Sequence, residues 1–223
     1  VAVEFSLAGV LQGRVRIGLL ALEGVLVRES DPVLAAEVDQ TCATFRERYG
    51  DGRSSEVPGT ADARTLYKAL GIDPTKTRPS NEALLRRALK GETLYRINTL
   101  VDALNLVSLS EQLPFGLYDL DRVKPPVVLR KGTAGEGYEG IRKGFVNVEA
   151  RPVLVDAEGP FGNPTSDSLR TAIVTGTRRA LVVAYAPARY SGPRLRDVLD
   201  VTARTLTRFC GGEAEPGRLI PEA

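Results

Sequence analysis

The residues best placed to do chemistry form one short polar run, Asn163, Thr165, Ser166, Asp167, Ser168 and Arg170, fed by Gly159, Pro160, Gly162 and Pro164. A glycine- and proline-shaped segment of this kind aims backbone N–H groups and hydroxyls at a carbonyl or phosphate oxygen. Asp167, Thr165 and Ser168 are therefore the catalytic candidates, with Asp167 orienting a water or holding an ammonium group. The opposing reading is an Asx-type turn that shapes the next strand, and the residues alone leave the two equal. A second polar set, Asn98, Asp102 and Asn105, falls at helical spacing and shares one face. That face can line a pocket, although for Asn98 the cap of the helix is the favoured reading.

Histidine is absent, which excludes Ser-His-Asp and Cys-His nucleophiles and histidine-based metal sites. No carboxylate cluster has calcium-loop spacing, so neither metal nor cofactor is expected. Any catalysis must then rest on carboxylates, hydroxyls, amides, guanidinium groups and water. Cys42 and Cys210, 168 positions apart, read as free thiols in a reducing compartment. No run approaches the roughly 20 apolar residues of a membrane span. Val1 to Val10 lacks a basic start and a cleavage pattern, so a cytoplasmic location is expected.

Net charge is only +2, yet Arg64 to Lys90 holds seven cations against two anions. Arg78, Arg86, Arg87 and Lys90 are the candidate RNA-binding residues of this stretch. A solvated helix face is the competing explanation.

The elements that must position these groups are also legible. Arg14 to Val27 reads as strands. Asp31-Pro32 opens a helix with the apolar stripe Leu34, Val38, Cys42, Phe45 and Tyr49, which Gly50-Asp51-Gly52 ends. Further helices are expected from about Asp62 to Leu70, from a Ser80 cap to Gly91, and from about Thr99 to Ser110. Short β-like runs follow at Val127–Leu129, Gly144–Val146, Val153–Val155, Ala172–Val174 and Leu181–Val183. An amphipathic helix spans about 194–210, and the last dozen residues read as frayed. The sum is one α+β domain over 1–223, a mixed sheet with helices packed around it: helix-rich over about 30–110 and β-rich over about 115–187.

Three blocks, Tyr95-Arg96-Ile97-Asn98-Thr99-Leu100-Val101-Asp102-Ala103-Leu104-Asn105, Leu113-Pro114-Phe115-Gly116-Leu117-Tyr118-Asp119-Leu120-Asp121 and Leu154-Val155-Asp156-Ala157-Glu158-Gly159-Pro160-Phe161-Gly162-Asn163, occur in an informative order. Together they resemble the editing module of the phenylalanyl-tRNA synthetase beta subunit, its third and fourth B domains, over about Lys76 to Thr175. The resemblance implies an α+β fold with a pocket between its halves and hydrolysis of mischarged aminoacyl-tRNA. It adds Asp119 and Glu136 to the pocket candidates, beside Asn163 and Arg170 of the polar run, and tRNA or another RNA as partner. Such a second sieve exists because a site built for phenylalanine rejects an added hydroxyl only about a hundredfold. The chain departs from the family where Gly116 stands in place of a histidine and Pro164 in place of the glutamate that reads the tyrosine hydroxyl. The ending Asp167, Arg170, Thr171 is associated with free-standing members. The reading is thus a trans-acting deacylase without histidine or metal; a non-catalytic module that binds RNA, a synthetase or an amino acid is the alternative.

Overall fold

The computed structural model describes residues 3–50 and 52–221; Asp51, assigned above to a helix stop, lies outside the described residues. In chain order the first elements are β1 (Phe5–Leu7), β2 (Val15–Glu23), α1 (Pro32–Tyr49), α2 (Thr60–Ala69), α3 (Ser80–Leu89) and α4 (Thr99–Glu111). Strands β3 (Phe115–Asp119), β4 (Val127–Lys131), β5 (Gly137–Gly140), β6 (Gly144–Asn147), β7 (Pro152–Asp156), β8 (Gly159–Asn163) and β9 (Ser166–Asp167) follow. The chain continues through β10 (Arg179–Pro187), α5 (Gly192–Cys210), β11 (Glu213–Ala214) and β12 (Arg218–Ile220). The α+β expectation holds.

Strand β10 organises the molecule. It pairs antiparallel with β2 from Arg179↔Glu23 to Pro187↔Val15, and with β3 from Ala180↔Asp119 to Ala184↔Phe115. Ala180 through Ala186 are all buried, because both faces of this sheet are covered. A strand covered on both faces reads as a continuous apolar run rather than an alternation. On one face Leu20, Leu22, Val182, Ala184 and Leu117 pack against α1, α3, α4 and α5. On the other, Ile17, Tyr118, Leu181, Val183 and Tyr185 meet α2 and the second sheet, ordered β1-β4-β7-β8-β9. Only β1 and β4 run parallel in that second sheet.

Local chemistry explains most boundaries. Asp31 caps α1 by accepting from the N–H groups of Val33 and Leu34, with Pro32 in the first turn. Leu34 and Val38 are buried, and Cys42, Phe45 and Tyr49 pack at the margin of the core. Both cysteines are free. No helix among the described residues is long and apolar enough to cross a membrane.

Four expectations are corrected. β2 stops at Glu23 because Gly24 turns the chain at φ +71°; Val25 and Val27 are then buried as coil. Ser80 is the first residue of α3 rather than its cap, and its hydroxyl has no hydrogen-bond partner. Ala172–Val174 forms no strand, and its first two residues line a cavity instead. The C-terminal stretch is not frayed as far as Pro221, since β11 and β12 both pair with β2, and Glu222 and Ala223 lie outside the described residues.

Candidate functional site

The Gly159–Ser168 segment is a hairpin rather than an open loop, β8 paired with β9 through Gly162↔Asp167 and Asn163↔Ser166. Asn163 makes the turn: its Oδ1 accepts from the N–H groups of Thr165 (2.8 Å) and Ser166 (2.9 Å). This is the Asx geometry that asparagine supplies before a tight reversal. The Tyr67 hydroxyl donates to the Pro164 carbonyl at 2.8 Å and lies 3.1 Å from Thr165 Oγ1. The Tyr138 hydroxyl donates to the Ser166 carbonyl. Ser168 is buried with its Oγ 3.0 Å from Thr171 Oγ1. Thr165 and Ser168 therefore hold the hairpin, and Asp167 is the one of the three that lines a cavity.

That cavity, of about 240 Å³, lies between α4 and the β half. Val101, Leu104 and Asn105 form the helical wall, and Phe115 and Leu117 the sheet wall. Ile141 and Arg142 enter from the β5–β6 turn, where Arg142 takes a left-handed φ of 57°. The Ile141 N–H donates to the Asp167 carbonyl at 3.2 Å, so this turn is pinned to the β9 backbone.

Asp167 is the electrostatic anomaly of the molecule. Its Oδ1 is shut off from solvent without a hydrogen-bond partner. Burial pushes the carboxyl up to about 7, against the Tyr118 hydroxyl, the Leu117 N–H and the charge of Lys143, which favour the ionised form. Burial likewise raises the phenols of Tyr118 and Tyr185, and the Asp167 charge adds to it. Tyr67 and Tyr138 shift the same way, for the same first cause. A carboxyl that titrates near neutrality in a cavity wall is suited to proton transfer.

The other named residues are placed as follows. Asn98 caps α4 by accepting from the Val101 N–H, and Asp102 accepts from the Ile97 N–H, both at 3.0 Å. Of that trio, Asn105 lines the cavity. Asp119 accepts from Thr177 Oγ1 at 2.8 Å and closes β3. Glu136 chelates Arg130 at 2.6 and 2.7 Å, and that guanidinium holds its carboxyl down at about 2. Arg170 pairs with buried Asp156 at 2.8 and 3.1 Å, and with Glu158. Asp119, Glu136, Asn163 and Arg170 are held by these partners and do not line the cavity.

Arg78, Arg86, Arg87 and Lys90 line one groove of about 290 Å³ on α3, joined by Tyr95. The Arg86 side chain makes no hydrogen bond or ion pair among the described residues. Arg87 is committed: it donates to the Thr93 carbonyl at 2.8 Å and pairs with Glu92 at 3.1 Å.

Sequence reading missed Tyr67, Tyr118, Tyr138 and Tyr185 around Asp167, because they lie far apart in the chain. The signal for Ile141 and Arg142 was present in the glycines at 140 and 144 that bracket their turn. Gly116 has a steric explanation that no residue count conveys. A Cβ there would lie 2.2 Å from the Tyr118 hydroxyl and 2.7 Å from its ring, and Tyr118 is fully buried. Gly116→His is accordingly expected to cost at least about 1–3 kcal/mol of stability by overpacking, without creating an imidazole catalyst. Urea unfolding alongside ester hydrolysis checks both halves.

Comparison with known proteins gives a consistent picture. The family described as the B3/4 domain matches residues 62–194, which contain the cavity and the α3 groove. The fold is similar to that of an N-terminal fragment of the phenylalanyl-tRNA synthetase beta-subunit from Pyrococcus horikoshii, at a TM-score of 0.51 and 14% identity. That alignment covers 96% of this chain and 50% of the other, so this chain spans about half its length. The comparison with curated proteins finds no match.

Proposed function

The chain belongs to the B3/4 domain family, and from that premise we propose that it is an RNA-associated ester hydrolase acting in trans on mischarged aminoacyl-tRNA in the cytoplasm. The observation that carries the reading is Asp167, a carboxyl poised near neutrality in the wall of a cavity large enough for an aminoacyl group. In the ionised form Asp167 takes a proton from water, and the resulting hydroxide attacks the ester carbonyl carbon. The bond between that carbon and the ribose oxygen then breaks, and protonated Asp167 returns its proton to the leaving oxygen. Asn105 and Arg142, which share the cavity, are the donors available to the developing oxyanion; one such donor is worth roughly 10² to 10³ in rate.

The likeness to a synthetase fragment supports tRNA as the partner, and the α3 groove offers cations for its phosphates. Incubating the protein with a panel of aminoacyl-tRNAs and following ester loss tests the reading; at least one ester should be released well above its rate in buffer. The non-catalytic alternative draws support from Thr165 and Ser168, whose hydroxyls are tied into the hairpin. Binding of tRNA without release of any ester would select it.

The groove makes a separate prediction. Arg86→Ala is expected to weaken tRNA binding and to reduce the dependence of log K on log salt by roughly 0.7 to 0.9, one phosphate contact. Filter binding across a salt series reads this directly. Arg86 is a cleaner probe than Arg87, whose guanidinium also holds the Glu92–Tyr95 stretch.

A further inference from the structure

Tyr95 is exposed over 58% of its surface, an unusual position for an aromatic ring in a chain with so few. The guanidinium of Arg87 lies 4.4 Å from its ring centroid and donates to its hydroxyl at 3.3 Å. The ring is thereby oriented within the groove of Arg78, Arg86 and Lys90. Residues 92–98 are neither helix nor strand, but they are tied down at both ends. Arg87 holds the Thr93 carbonyl, and Asp102 holds the Ile97 N–H. Ile97 lines the Asp167 cavity. Tyr95 of the groove and Ile97 of the cavity are therefore two residues apart in the chain, at most roughly 7 Å along the backbone.

We propose that the α3 groove and Tyr95 form a track for unpaired RNA, with Tyr95 stacking one base and the strand's 3′ end entering the Asp167 cavity. The cations take the phosphates and the ring takes a base face, which is how single strands are held without sequence preference. A paired base has no free face to offer such a ring, so the track selects single strand over duplex. An acidic peptide would use the same cations and have no need of the ring. This inference rests on the ester-hydrolase reading for its endpoint and stands on Tyr95 and the groove for its binding step.

The test uses the whole chain, a fluorescein-labelled single-stranded oligoribonucleotide and anisotropy at low salt. Tyr95→Ala is expected to weaken binding about tenfold or more, Tyr95→Phe to restore it, and Arg86→Ala to lower the salt dependence. Wild-type affinity in Tyr95→Ala, equal affinity for a duplex of the same length, or equal competition by polyglutamate would each overturn the track. The endpoint is read separately: Tyr95→Ala should lower kcat/KM about tenfold on an oligonucleotide aminoacyl ester relative to the ester of free adenosine. An unchanged ratio removes the link between groove and cavity. If the wild-type protein hydrolyses neither ester, the hydrolase reading and the proposed endpoint fail together, while anisotropy still decides the track.

Discussion

Asp167→Asn is expected to lower ester hydrolysis by roughly 10² to 10⁴, the usual contribution of a general base, and at the same time to make the protein more stable at pH 8. The two effects share one cause. The carboxyl stands at about 7 in the folded chain against 3.8 ordinarily, so folding favours its neutral form. A carboxyl raised on folding contributes stability that is present below its unfolded value and is lost as pH rises from about 4 through about 7. At pH 8 the wild-type protein carries an ionised, partly unpaired carboxylate in the cavity wall, and the asparagine variant does not. A shift of this size amounts to a few kcal/mol, on the order of 5 °C or more in melting temperature for a chain of this length. Melting curves at pH 5 and pH 8 should show the gap between variant and wild type opening with pH. Hydrolysis by the wild type, with the buffer rate subtracted, should climb to about pH 7 and then level off. A variant that loses activity and also melts lower at pH 8 would mean that Asp167 supports the fold rather than straining it.

Arg64→Met should destabilise the fold strongly, by about 3 kcal/mol or more. Glu82 on α3 is only 1% exposed and chelates Arg64 of α2 at 2.6 and 2.8 Å. Burial pushes its carboxyl up, yet the hydrogen bonds from Arg64 and Ser54 outweigh that and hold it below the usual glutamate range. Removing Arg64 leaves a buried carboxylate with Ser54 at 2.9 Å and Arg78 no closer than 3.9 Å. Because the folded value is lowered, the stability from this pair is present above about 4.5, the ordinary value, and is lost as pH falls. Denaturant unfolding at pH 7 measures the cost. The double variant Arg64→Met, Glu82→Leu should recover much of it, since an apolar pair of similar volume avoids burying an uncompensated charge. No recovery would assign the loss to packing of the arginine stem instead.

Four cases show how far the chain could be read before folding. Asp31-Pro32 and Asn98 cap helices as their types dictate, because a cap is satisfied by N–H groups two or three residues away. Asn163 entered as a pocket residue, and its side chain is spent on the turn instead. Ser80 had the right type for a cap, but Pro79 occupies that position and the hydroxyl is left unpaired. Glu136 and Asp119 entered as pocket candidates through resemblance alone. Their carboxylates are consumed by Arg130 and Thr177, partners 6 and 58 positions away.

From the order of residues alone came the α+β class, the helix starts, the free thiols, the basic stretch on α3 and the choice of Asp167 as an acid worth watching. These rest on interactions within a few positions or on composition, where the chain's local chemistry is sufficient. The tertiary structure alone decided that Asp167 and Asn105 share a cavity while Thr165, Ser168 and Arg170 do not. It also decided that four distant tyrosines surround the carboxyl and that Gly116 leaves no room beside Tyr118. The reason is physical: a carboxyl's proton affinity depends on how much water the rest of the fold removes from it, and no short stretch of sequence contains that information.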